Sequence, residues 1–341
     1  MKILKLIAKS IGLLFLALVL FLFATYLFVK PKFEVAKTVA QDTNIPHITL
    51  DTVTFHAESF GPDTAQVVIA IHGGPGQDYR TLLPLKELAD SFKVVFYDQR
   101  GTGLSPRVAT SELSLESSLS DLDAIINYYS PDKPVYLIGH SWGAMLASGY
   151  IAQHPEKVLK AVLAEPGFLT TETAQTFMER TNGMMPPMTL STVWRMTKAF
   201  LESLKVDGPD EEAGMDYLMA RIIGMTDIKN HPMAGYYCNG MMPSSDELFW
   251  RLSMQASQAI RKTGVNSNGE FEIDLVSGLQ NFNNEVLFLT SECNQLVGED
   301  IQKKHMTYFP HAQMKIVKNA GHDMIKEQPD ESLDIIRLYF K

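Results

Sequence analysis

The stretch Val135-Tyr136-Leu137-Ile138-Gly139-His140-Ser141-Trp142-Gly143-Ala144-Met145-Leu146-Ala147 decides how the chain is read. Its four leading apolar residues read as a strand, the glycine-flanked serine as a sharp turn, and the residues after it as a helix. This is the nucleophile-elbow pattern. So tight a turn strains the serine backbone and lifts its hydroxyl to the top of a sheet, with a helix N-terminus behind it. Side chains two residues to either side would collide with their neighbours, which is why both positions are glycine. Alone, the pattern also fits an ordinary strand–helix turn, so its weight comes from the flanking sequence.

Upstream, Val67-Val68-Ile69-Ala70-Ile71 is a continuous, β-branched run of the kind a buried parallel strand needs. It ends in His72-Gly73-Gly74-Pro75-Gly76. Acyl transfer builds negative charge on the former carbonyl oxygen, and backbone N–H groups aimed at that oxygen are among the largest catalytic contributions. A glycine-rich loop lets the backbone approach closely. The amide of Gly74, or of a neighbour in this loop, is one candidate donor, and the amide of Trp142 is the second. A phosphate-binding loop fits poorly, because no Gly-Lys-Ser/Thr follows and Pro75 removes a donor. Downstream, Met314-Lys315-Ile316-Val317 reads as a short strand, followed by Asn319-Ala320-Gly321-His322 as a loop. A histidine just past a late strand is where a Ser…acid…His order puts the general base. His322 takes that role, and His140 is expected to orient the turn rather than react.

The set His72-Gly73-Gly74-Pro75-Gly76, Asp98-Gln99-Arg100-Gly101-Thr102-Gly103-Leu104-Ser105, the elbow and Gly321-His322 resembles the proline iminopeptidase-related branch of the α/β-hydrolases, over roughly residues 50–170 and 284–341. The resemblance implies a mostly parallel sheet flanked by helices, a helical cap inserted after the sixth strand, and a serine hydrolase with a preformed oxyanion hole. It also implies that the Asp98–Ser105 loop is structural, with Asp98 and Arg100 as a loop-fixing pair. Members that use a nucleophilic aspartate, such as dehalogenases and epoxide hydrolases, differ at the position held here by Ser141.

The third catalytic group departs from the branch. Its usual aspartate follows the seventh strand, here Val286-Leu287-Phe288-Leu289-Thr290, and the matching position is Asn294. An amide orients imidazole but cannot stabilise imidazolium by charge. Glu165, at the tip of the sixth strand Ala161-Val162-Leu163-Ala164, is the favoured replacement, because neighbouring strand tips address the same histidine. Glu292 is the runner-up carboxylate, two residues too early in its turn, and Asn294 acting without any carboxylate is the other alternative.

The 341 residues suffice for one α/β domain with an insertion. Six lysines and one glutamate lie in the first 37 residues, so the net charge of −9 leaves −14 for the remainder. An acidic body without a basic patch argues against nucleic-acid binding. Ile11–Val29 is a run of 19 residues without a charge, the length of a membrane-spanning helix. Its bulky exit, Tyr26-Leu27-Phe28-Val29, favours an uncleaved anchor over a signal peptide. With lysines on both sides of the span, charge says little about orientation. The short N-terminal tail favours a catalytic body outside the cytoplasm.

The expected organisation is an anchor over 1–30, a stalk over 31–48, hydrolase core over 49–170 and 284–341, and a helical cap over 171–283. The cap holds 12 of the 17 methionines, including Met184, Met185, Met188, Met241 and Met242, consistent with an apolar lid. No metal constellation is visible and the chemistry needs no cofactor. Cys238 and Cys293 read as free thiols, Cys293 buried at the end of its strand, with a disulfide tying the cap to the seventh-strand turn as the alternative outside the cytoplasm. The expected substrate is a small molecule or peptide carrying an ester or amide. Aminopeptidases of the resembling branch hold a free amino terminus with cap glutamates near a Trp-x-x-Trp-Glu element. This cap has Trp194 and Trp250 but no such element, and Glu172, Glu179 and Glu247 are undistinguished from one another.

Overall fold

Side chains alternate across a strand, so a strand that is apolar almost throughout must be covered on both faces. The computed structural model describes residues 2–182, 187–225, 231, 233–240, 248–268 and 271–341. Among these, eight strands form one sheet: β1 (His47–Leu50), β2 (Val53–Phe60), β3 (Val67–Ile71), β4 (Lys93–Tyr97), β5 (Val135–His140), β6 (Val158–Ala164), β7 (Val286–Ser291) and β8 (Ala312–Val317). Their order is β1-β2-β4-β3-β5-β6-β7-β8. β2 is antiparallel to β1 and β4, and the other neighbours run parallel.

The apolar runs divide by parity. Val67, Ile69 and Ile71 of β3 face one layer, with Leu137 of β5 and Ala161 and Leu163 of β6. Val68 and Ala70 face the other, with Ile138, Val162 and Ala164. The first layer is closed by helices α2 (Leu115–Tyr129) and α3 (Trp142–Gln153), through Leu122, Ile125, Leu146 and Tyr150. The second is closed by the 3₁₀ segment Tyr79–Asp90 and by the C-terminal helix Pro329–Phe340, through Leu82, Leu85, Leu333 and Ile336.

After β6 the chain leaves the sheet and forms α4 (Thr171–Asn182), α5 (Leu190–Ser203), α6 (Ala213–Ile223) and α7 (Met254–Thr263). It returns by a bridge between Thr170 and Asp274, and Leu275, Leu279 and Phe282 are buried in the core. Of the methionines singled out above, Met188 is exposed, while Met184, Met185, Met241 and Met242 lie outside the described residues, as does Glu247.

The N-terminal helix α1 (Lys2–Phe28) keeps nearly all of its apolar side chains exposed, and it is long and apolar enough to cross a membrane. The segment expected as a stalk is laid against the body rather than standing free. Thr38 and Val39 are buried, and Val39 N–H donates to Leu104 O at 2.9 Å. Arg251 donates to Ala36 O at 3.1 Å, Lys32 N–H donates to the Tyr217 hydroxyl, and Phe33 stacks on Tyr217.

Candidate active site

The elbow is built by close approach. Ser141 joins β5 to α3 at φ 54°, ψ −117°, a strained region for a residue with a side chain. A Cβ on Gly139 would come within 2.5 Å of Gly143 O, and one on Gly143 would collide with the carbonyl oxygen of Ile71. The helix is thereby pressed against the ends of two strands, and Ser141 stands at its N-terminus, its carbonyl accepting from the N–H groups of Ala144 and Met145.

Glu165 follows β6 at φ 45° and is fully buried. Its Oε1 accepts from Ser291 N–H at 2.7 Å and from the Ser291 hydroxyl at 2.6 Å. Its Oε2 accepts from Asn294 Nδ2 at 2.6 Å and from His322 Nδ1 at 2.8 Å. Four donors converge on one buried carboxylate, which is what a charge without water requires. Asn294 Nδ2 also lies 3.2 Å from His322 Nδ1, the two N–H groups meeting at one oxygen. Asn294 Oδ1 is taken up by the N–H groups of Leu296 and Val297. The Asn294 amide therefore braces the Glu165 carboxylate. Glu292 is not brought to this cluster. It is exposed, accepts from Asn319 N–H and pairs with Lys318, and these contacts hold its carboxyl below the usual range.

The His322 ring lies between the rings of His140 and Tyr236, with centroids 4.7 and 4.5 Å away. His322 N–H donates to Tyr236 O at 2.8 Å, and His140 Nε2–H donates to His322 O at 2.8 Å. Burial, followed by the neighbouring His322, pushes His140 down to about 4, so it is a neutral donor that positions the His322 loop.

The glycine loop after β3 is held by a residue that the sequence reading passed over. Gln99 N–H donates to His72 Nε2 at 3.0 Å, and Gln99 Nε2 donates to His72 O at 3.0 Å. Its Oε1 accepts from the Trp142 indole at 2.9 Å. One side chain thus ties the loop carrying Gly74 to the residue after Ser141. In Asp98-Gln99-Arg100-Gly101 the charged side chains suggest an ion pair, whereas the amide between them makes the bridge. Asp98 and Arg100 do not pair with each other. Asp98 accepts from Tyr79 N–H, Leu104 N–H and His56, whereas Arg100 forks onto Asp121 across to α2. Charges two residues apart on a turn face different neighbours.

The cysteines also differ from expectation. Cys238 and Cys293 form a disulfide, with Cα atoms 4.9 Å apart. The segment 233–240 folds down onto the turn after β7, where Gln295 N–H donates to Gly235 O at 2.8 Å and Tyr237 donates its hydroxyl to Asp323. Nothing in a separation of 55 residues announces that contact.

Two lobes of one cleft meet at Ser141. The first, about 270 Å³, is lined by Trp142, Met145, Phe168, Phe177, Ile260 and Phe271, with Glu116 and Glu272 also on its wall. The second, about 440 Å³, holds His322, His140, Gln77, Ser257 and Gln258. Gly74, Tyr236 and Arg261 line both. Of the glutamates considered for a substrate amine, Glu172 pairs with Lys304 and is absent from both linings among the described residues, as is Glu179.

Residues 66–329 match the family of the alpha/beta hydrolase fold. The chain belongs to the α/β-hydrolase fold family. Its relatives include a cis-3-alkyl-4-alkyloxetan-2-one decarboxylase of Shewanella oneidensis, 21% identical over 79% of this chain and 80% of that protein. A proline iminopeptidase of Heyndrickxia coagulans is 38% identical over 29% of this hydrolase and 34% of the relative, a match to about a third of that protein's length. Among solved structures, VinJ superposes with a TM-score of 0.62 at 18% identity, covering 86% of this chain and 97% of the other. A proline iminopeptidase-related protein of Thermus thermophilus gives 0.58 at 17%, covering 86% and 95%. Such identities speak for the fold, and the recurrence of proline iminopeptidases agrees with the resemblance carried by the glycine motifs.

Proposed function

We propose that the chain is a membrane-anchored serine hydrolase that cleaves an ester or amide through an acyl-enzyme, with Ser141 as nucleophile, His322 as general base and Glu165 as the acid. The observation that carries this reading is the 2.8 Å contact from His322 Nδ1 to a fully buried, four-fold hydrogen-bonded Glu165, with Ser141 and His322 on the wall of one cleft. Nδ1–H held by the carboxylate leaves Nε2 as the base for the serine proton. The amides of Gly74 and Trp142 are assigned to the oxyanion, and Gln99 fixes their spacing. The same imidazole then protonates the leaving group. His322 lines the larger lobe and not the smaller, so the leaving group it protonates is assigned to the larger lobe, and the acyl group to the smaller one, beside Phe168, Phe177 and Phe271.

An anchor over residues 11–29 places this chemistry at a lipid bilayer. The Cys238–Cys293 disulfide favours an oxidising compartment, hence a catalytic body outside the cytoplasm. A second reading, aminopeptidase, is favoured by Glu116 and Glu272 on the acyl lobe, where a substrate's free amine would meet them. Epoxide hydrolases also occur among the relatives, but Ser141 stands where their nucleophilic aspartate would be needed. Turnover of p-nitrophenyl esters with acyl chains of graded length, beside amino-terminal proline amides and their N-acylated forms, separates the readings. Ester turnover that rises with acyl size supports the first. Cleavage confined to amides with a free amine supports the second and removes the first.

A further inference from the structure

Helix α5 leaves a stripe of large apolar side chains uncovered. Leu190, Val193, Trp194, Phe200 and Leu204 fall on one stripe at helical spacing, and all are exposed, Leu190 at 91% and Leu204 at 56%. The buried positions of the helix are Thr192, Ala199, Leu201 and Glu202, and the Glu202 carboxylate accepts from the Tyr217 hydroxyl and from Arg221. A helix that leaves this many large apolar side chains in the open along one stripe is not made for water.

The neighbour of that stripe is α1. Trp194 meets Phe21 with ring centroids 5.4 Å apart. Lys205, just past the other end of α5, donates to Leu27 O and Val29 O at 3.1 Å each and lies over the Tyr26 ring. The last carbonyls of α1 are thereby capped by a cation of the cap domain. These contacts, with Phe33 on Tyr217, fix the exit of α1 against the cap. The contacts advance together, from Phe21 with Trp194 to Leu27 and Val29 with Lys205, so the two helices run side by side in the same direction. Phe21 lies seven residues before Phe28, so Trp194 sits about 10 Å inside the end of the apolar helix at 1.5 Å per residue.

We infer that the outward face of α5, led by Leu190, Val193 and Trp194, is embedded in the outer part of the same bilayer that holds α1, so that the cap of the hydrolase rests in the lipid beside its anchor. This rests on the reading of residues 11–29 as a membrane span. The occupant of the face is lipid acyl chain, because the stripe is continuous with the surface of α1 and remains exposed after α1 has packed against it. Each leaflet of a bilayer has about 15 Å of hydrocarbon, so an offset of about 10 Å from the end of α1 sets Trp194 among acyl chains.

The test is tryptophan quenching on the full chain in proteoliposomes containing phospholipid brominated in the upper part of its acyl chains. Of the three tryptophans, Trp142 is buried and Trp250 packs on His56 and Tyr79, which leaves Trp194 as the reporter. The expected result is quenching in the wild type that is lost in Trp194→Phe and reduced at least twofold in Leu190→Glu/Val193→Glu, which retains the reporter. Resistance of the same liposomes to carbonate extraction reports on the anchor separately. A chain that resists extraction but shows no bromine quenching, or equal quenching in Trp194→Phe, overturns the inference and leaves the anchor standing. A chain released by carbonate overturns both. Cross-linking through residue 194 between two copies, without quenching, assigns the face to a second copy and also overturns it.

Discussion

Replacing Glu165 with glutamine removes one charge and one acceptor from a closed cluster. Four donors point at the carboxylate, from Ser291 N–H, the Ser291 hydroxyl, Asn294 and His322. A glutamine must turn its NH₂ toward two of them. Turned toward His322, it accepts nothing from Nδ1–H and drives the ring into the tautomer with its proton facing Ser141. Turned toward Ser291, it leaves two buried donors unpaired. Either way the imidazolium formed during proton transfer loses its counter-charge at 2.8 Å. Loss of a triad carboxylate on this scale slows turnover by about 10²–10⁴, or about 3–5 kcal/mol of transition-state stabilisation. The assay is kcat/KM on a p-nitrophenyl ester, beside a thermal melt showing that the variant is folded. The second step is a swap. Asn294→Asp alone sets two carboxylates at the 2.6 Å now spanned by a hydrogen bond, and it should lower activity by like-charge repulsion. Combined with Glu165→Gln, it returns an acid to within reach of His322 Nδ1 and should recover at least about tenfold of the loss. A folded Glu165→Gln within threefold of wild type, or a larger loss in Glu292→Gln, would refute the assignment.

Gln99→Leu cuts the links from the glycine loop to the Trp142 indole, so kcat should fall about tenfold, with KM nearly unchanged, as the oxyanion donors lose their spacing. A KM effect alone would point to substrate binding instead. His140 is held down to about 4 in the folded chain against 6.5 unfolded, so the unfolded state binds more protons between those values. Stability from this group is complete above pH 6.5 and is lost as pH falls toward 4, about 3 kcal/mol in all. Melting temperature should therefore drop between pH 7 and 5, and His140→Gln, which keeps a donor for His322 O, should flatten that slope. An unchanged slope counts against it. Reducing Cys238–Cys293 opens a 55-residue loop, worth up to about 4 kcal/mol by chain entropy. It also frees the segment that stacks Tyr236 on His322. Cys238→Ser should thus lower both the melting temperature and kcat, and a drop in melting temperature with kcat intact would show that Tyr236 holds its place without the bond.

What the sequence disclosed followed from how steeply each feature constrains its residues. A serine at φ 54° between glycines, a glycine loop after an apolar strand and a histidine past the last strand each admit few residue types, so Ser141, the loop at 73–76 and His322 stood out. Strands covered on both faces are continuous in their apolar character, so β3, β5 and β7 were legible to within two residues, whereas β6 begins three residues before the expected Ala161, at Val158, because Lys160 interrupts its apolar run. Glu165 was legible only through its neighbour: Asn294 vacated the usual acid position, and the adjacent strand tip offered a carboxylate. The partners of Asp98 and Arg100, the bridge made by Gln99 and the disulfide depend on where loops land, and loop placement leaves no periodic trace. The direction of α5 was equally hidden. An amphipathic pattern reports that one face is apolar, and only the neighbours, α1 above all, say that this face looks outward.

The catalytic assignment is met most directly by a fluorophosphonate probe on the full chain, followed by peptide mass spectrometry. Stoichiometric adduct on Ser141, absent from Ser141→Ala, is the predicted result. A folded chain that takes up no probe, as a ligand-binding relative without turnover would behave, or one whose label persists in Ser141→Ala, would contradict it.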